Sequence, residues 1–122
     1  MVGWFEIPVT DMKRAKLFYE TVFNIEISVH DMNDLIMGWF PFVEGGSGAS
    51  GSLVQHKDFY FPSERMGSLL YFSCENLQRQ LDRVEDAGGK ILQPKKQISE
   101  NHGYMAVFLD SEGNRLALHS QQ

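Results

Sequence analysis

Apolar side chains alternate with others from Trp4 to Val9, the period of a strand with one covered face. The spacing then changes to three and four, at Met12, Ala15, Tyr19 and Val22, with Phe18 and Phe23 beside them, which is the stripe of a surface helix. Asp11 stands where a helix N-cap belongs, so a strand is expected to run straight into a helix of about three turns. Three more strands are expected after it, Ile25 to Asp31, Leu35 to Val43 and Ser52 to His56. They are broken at Asn33-Asp34 and at the flexible hairpin Gly45-Gly46-Ser47-Gly48.

The second half repeats this pattern. Ser68 to Cys74 reads as a strand, and Asn76 can cap a helix that carries Leu77, Leu81 and Val84 at the same spacing and stops at Gly88-Gly89. Aligning Asp11 with Asn76 puts Met12 on Leu77 and Tyr19 on Val84. Lys90 to Ile98, Tyr104 to Asp110 and Arg115 to Ser120 complete the set, separated by Asn101-His102-Gly103 and by the turn at Asp110 to Asn114. Each half therefore reads βαβββ. The expected architecture is α+β: one domain over 1–122, with modules at 1–57 and 68–122 and a linker at 58–67. A helix covers only one face of such a sheet, so the two bare faces are expected to curve around a shared cavity able to take a small ligand.

Alternation assigns faces. Phe5, Ile7 and Val9 are expected to meet the helix, which leaves Trp4, Glu6 and Pro8 inward. Leu70, Phe72 and Cys74 go to the helix, and Leu69, Tyr71 and Ser73 inward. Leu116 and Leu118 pack, so Arg115, Ala117 and His119 face the cavity. In the fourth expected strand Ser52, Val54 and His56 share one face and Gly51, Leu53 and Gln55 the other, with nothing in the sequence to say which is inward. Glu6 and His119 are the anomalies, a carboxylate and an imidazole on faces meant for a ligand. Trp4, Leu69, Tyr71, Ala117 and Tyr104 are the expected ligand contacts. The run Phe59-Tyr60-Phe61 in the linker suits a pocket lid or a dimer contact.

Composition narrows the classes of partner. With 16 Asp+Glu against 11 Lys+Arg the net charge is −5, which disfavours nucleic acid and anionic membranes. No apolar run approaches a membrane span, and the acidic Glu6 arrives without a signal-like segment before it, so a cytoplasmic protein is expected. The single cysteine, Cys74, excludes an intrachain disulfide and reads as a small hydrophobe.

The opening Trp4-Phe5-Glu6-Ile7-Pro8-Val9-Thr10-Asp11, followed by Ala15, Phe18-Tyr19 and Val22-Phe23, resembles the start of the vicinal-oxygen-chelate superfamily. That superfamily unites glyoxalases, bleomycin-resistance proteins and extradiol dioxygenases, and the match is to its glyoxalase-related predicted-lyase branch. The closing run from Phe108 to His119 is similar to that family's D-x-x-G-N turn and final strand. The resemblance implies the paired-module fold, a homodimer and a divalent metal held by His, Glu or Gln from the first, fourth, fifth and eighth strands. Carried over, those places fall on Trp4, within Gly51 to Gln55, on Leu69 and on Ala117, where only Gln55 has a donor. No cofactor is expected at the usual positions.

A shifted metal site using Glu6, His56 and His119 would be the alternative, since two imidazoles and a carboxylate suit zinc or iron. Without metal, Glu6 and His119 could act as general base and acid on a carbonyl- or hydroxyl-bearing metabolite. A metal-free protein that sequesters a small aromatic or cationic compound is the competing expectation.

Overall fold

The computed structural model describes residues 1–122, and the chain separates into two compact units, Met1–Pro62 and Ser63–Gln122. The division falls inside the segment expected to link the halves. The first unit comprises β1 (Trp4–Pro8), α1 (Met12–Phe23), β2 (Ser28–Met32), β3 (Leu35–Trp39) and β4 (Ser50–Gln55). The second comprises β5 (Tyr71–Ser73), α2 (Leu77–Val84), β6 (Lys90–Ser99), β7 (Gly103–Leu109) and β8 (Arg115–Ser120). Each carries a four-stranded mixed sheet, ordered β1-β4-β3-β2 and β5-β8-β7-β6. In both, the first strand lies parallel to the last and the remaining pairs are antiparallel.

The repeat holds at atomic detail. Ile7 is level with Leu53 in the first sheet and Phe72 with Leu118 in the second, a constant spacing of 65 residues. Asp11 and Asn76 both cap their helices, accepting from the amides of Arg14 and Gln78. The first amide of each helix is also satisfied from the end of the last strand: Met12 N donates to Gln55 Oε1 at 2.8 Å, and Leu77 N to Ser120 Oγ at 3.1 Å. Gln55 and Ser120 are themselves 65 residues apart. A helix start leaves its leading N–H groups without helical partners, and both units solve the problem with the same strand position.

The helices end by related means, α1 where expected and α2 at Val84, four residues before the expected stop at Gly88-Gly89. Asn24 turns left-handed after α1, at φ 53°. After Val84 the amides of Gly88 and Gly89 return to the carbonyls of Glu85 and Val84 in a Schellman motif, with Gly88 at φ +103°. β2 starts at Ser28, later than expected, because the Glu20 carboxylate takes the Ile27 amide at 2.9 Å and holds the chain short of the sheet. β3 stops at Trp39, since Pro41 brings no N–H to the ladder. In the D-x-x-G-N turn the buried Asp110 accepts from Glu112 N, Asn114 N and Asn114 Nδ2, and Gly113 supplies the positive φ of 86°. Asn114 Oδ1 in turn accepts from Ser63 N, which anchors the start of the second unit.

Each core lies between helix and sheet. Ile7, Val9, Phe18, Tyr19, Val22 and Leu53 are buried in the first unit, and Leu77, Leu81, Val84, Phe108, Leu116 and Leu118 in the second. Gly38 and Gly51 make room in the first. A side chain on Gly38 would run into Met12 and Ile27, and one on Gly51 into Phe5.

Candidate functional site

With Leu53 and Gln55 committed to the helix side, strand register fixes what stands on the other side of the first sheet. Glu6 is level with Ser52 on β4, and Ser52 with Trp39 on β3. One strand further, His30 on β2 is level with Met37, two residues from Trp39. Trp4 meets Trp39 edge to face at 6.5 Å, and the His30 ring lies 4.1 Å from the Trp39 ring. Both tryptophans stay open, 43% and 39% exposed. This face is therefore an aromatic platform with a carboxylate beside it.

Glu6 is not bare. The phenol of Tyr60 donates to Glu6 Oε1 at 2.6 Å, a short, charge-assisted bond. The hydrogen bond to the carboxylate raises the Tyr60 pKa, with burial and the Glu6 charge adding to it, so the phenol stays a donor. Between Glu6 and Trp39, Ser52 is fully buried and its Oγ has no hydrogen-bond partner.

The structure separates several residues that the sequence grouped. Gln55, the one donor at the expected metal positions, spends its carbonyl on Met12 N. His56 lies four residues beyond Ser52, about 13 Å further along the strand direction from the level of Glu6. Its Nδ1 accepts from Asp58 N at 3.1 Å, its ring lies 5.0 Å from Phe59, and it lines a separate cavity of about 480 Å³ with Asp34, Ile36 and Asp58. In the second unit His119 Nε2 donates to the His102 carbonyl at 2.7 Å. His119 there lines a cavity of about 470 Å³ with Tyr71, Ser73, Ile98, Asn101, His102 and Gln121.

Tyr71 is exposed, and Leu69 lies just before β5. Ala117 is level with Tyr71 and completely buried. Tyr104 requires a correction. It is level with Ser120, whose hydroxyl holds α2, and it shares its face with buried Ala106 and Phe108, so it stands on the helix side, with Lys95 Nζ over its ring at 4.7 Å. Cys74 is the small hydrophobe expected: burial pushes its thiol pKa up to about 11, which leaves little thiolate.

His30 was missed by sequence reasoning, and Tyr60 was singled out only as part of the aromatic run in the linker. Alternation through Ser28, His30 and Met32 was the available signal for His30, whereas nothing local links Tyr60 to Glu6, 54 residues away.

The donor set does not fit the metal that the resemblance implies. Trp4, Leu69 and Ala117 have no atom to offer, and Gln55 is engaged. No group of three or more His, Cys, Asp or Glu side chains is placed to hold a metal, and within the first unit Glu6 and His56 stand too far apart along the strands to share one.

Comparison with known proteins supplies the class. The family model of the Glyoxalase/Bleomycin resistance protein/Dioxygenase superfamily matches residues 1–118, and the chain belongs to that superfamily. Its fold is similar to a glyoxylase/bleomycin resistance protein/dioxygenase domain from Frankia sp. EAN1pec, with TM-score 0.75, 17% identity, and coverage of 100% of this chain and 98% of that one. It is also similar to TnmS3, an antibiotic binding protein from Streptomyces sp. CB03234, with TM-score 0.72, 23% identity and coverage of 100% and 96%. Glyoxalase I from Zea mays gives TM-score 0.75 at 15% identity, covering 97% of this chain and 45% of that one. The chain thus spans about half the length of the maize enzyme. No curated protein matches it in sequence.

Proposed function

We propose that this protein binds a small, flat, partly apolar molecule on the open face of its first unit, and that it does so without a metal. The observation that carries the reading is the pair of half-exposed tryptophans, Trp4 and Trp39, in edge-to-face contact beside the Glu6 carboxylate. Large aromatic surface left open next to a few polar groups is the usual make-up of a ligand site. The absence of donor atoms at Trp4, Leu69 and Ala117 supports a role that needs no Lewis acid, and the fold serves a protein described as antibiotic binding. The test is a titration of planar aromatic compounds followed by tryptophan fluorescence. Binding should survive EDTA and weaken at least tenfold in Trp39→Ala, as loss of a main aromatic contact implies. Binding that needs an added metal ion, or that Trp39→Ala leaves intact, would reject the reading.

Conversion of a carbonyl- or hydroxyl-bearing metabolite is the second reading. It is favoured by His119, whose Nε2 proton is committed to the His102 carbonyl, which leaves Nδ1 to take a proton, and by the carboxylate of Glu6. Glu6→Gln and His119→Ala should each abolish any turnover found in a substrate screen, and retained turnover would remove that residue from the mechanism.

A cytoplasmic homodimer belongs to the same proposal. No helix is long and apolar enough to cross a membrane. The twofold greater length of the maize enzyme and the exposed rings of Phe59 and Phe61 support a second copy.

A further inference from the structure

Ser52 poses a problem that folding does not solve. A buried hydroxyl without a partner destabilises the fold that holds it, and such groups call for a reason. The fold does not ask for this one. The equivalent place in the second unit, 65 residues on, is Ala117, which is equally buried and level with Tyr71 as Ser52 is with Glu6. An alanine would serve the packing, yet the first unit carries an unpaired hydroxyl, and it sits between Glu6 and Trp39 on the face proposed to bind a ligand.

We infer that the ligand of this face presents a hydrogen-bond donor and an acceptor side by side on one edge of a planar ring, as an aromatic carboxamide does, and that Glu6 and Ser52 read that edge. The inference rests on the binding role proposed above. A carboxylate can only accept, whereas a serine hydroxyl can also donate, so neighbouring strands about 4.8 Å apart offer an acceptor and a donor together. Tyr60 shows what Glu6 takes: an O–H carried on an aromatic ring, at 2.6 Å. A carboxamide N–H replaces that phenol on Glu6 while its carbonyl receives the Ser52 proton and its ring lies against Trp4 and Trp39. A carboxylate ligand would meet the Glu6 charge, and an ester would bring an acceptor alone.

The test uses the full chain labelled with nitrogen-15, read at the indole N–H resonances of Trp4 and Trp39 during titration with benzamide, methyl benzoate and benzoate. Benzamide should bind about tenfold tighter than methyl benzoate, the scale of one well-made hydrogen bond, with benzoate weakest. Ser52→Ala, whose fold is vouched for by Ala117, should weaken benzamide and methyl benzoate alike, because both present the carbonyl that Ser52 meets, and Glu6→Gln should relieve the exclusion of benzoate. If benzamide and methyl benzoate bind equally, or if Ser52→Ala leaves both affinities unchanged, the inference fails while the binding role stands. If none of the three moves either indole, both fail.

Discussion

The two units are built to one plan and finished differently. Where they agree, the positions serve the fold: Asp11 and Asn76 cap, Gln55 and Ser120 reach back to the first amide of the helix, and Leu53 and Leu118 fill the core. Where they differ on the open face, the first unit has Glu6 and Ser52 and the second has Tyr71 and Ala117 at the same register. The repeat thus acts as an internal control. What recurs is what the βαβββ unit needs, and what does not recur marks chemistry added to one copy.

The cores give the hardest test of that equivalence. Leu53→Ala and Leu118→Ala should each lower stability by about 3 kcal/mol in urea unfolding, since both side chains are fully buried and an alanine leaves a cavity. A gap of more than about 2 kcal/mol between the two would break the claim that the units share one packing scheme.

Next is a trade in volume. The first unit pairs Phe5 with Gly51, and the second has Leu70 and Leu116 at the corresponding places. A Cβ on Gly51 would meet both the Phe5 ring and the Phe5 carbonyl. Gly51→Ala should therefore destabilise by about 2 kcal/mol, and adding Phe5→Leu should restore part of the loss in a double-mutant cycle. Strict additivity of the two changes would show that they do not share the space.

The smallest effect belongs to the strand-to-helix bonds. Gln55→Ala and Ser120→Ala should each cost about 1 kcal/mol in thermal or urea unfolding, the size of a lost helix cap. An unchanged Gln55→Ala protein would return that side chain to the set of residues free to meet a ligand.

Much of this plan was readable in the chain. The caps at Asp11 and Asn76 fixed the spacing between the halves, and alternation correctly turned Phe5, Ile7 and Val9 to the helix and Glu6 away from it. Strand ends were less readable, because β2 is delayed by Glu20 holding Ile27, a side-chain bond that no propensity describes. Tyr104 was misplaced for a related reason. Irregular pairing along β6 and three extra residues before β7 shift the repeat there: Gly38 is level with Leu53, but Ala106 with Leu118. The side on which β7 residues stand therefore cannot be copied from the first half.

The order of apolar and polar residues, by itself, determined two βαβββ units, their caps and the placing of Glu6 on the face away from the helix, because periodicity and capping act over a few residues along the chain. Only the tertiary structure decided that Tyr60 occupies Glu6, that Gln55 supports a helix and offers no ligand atom, and that Ser52 is buried with nothing to bond. Those facts depend on which distant strands lie side by side and in what register, and pairings across 43 and 54 residues leave no local mark in a sequence.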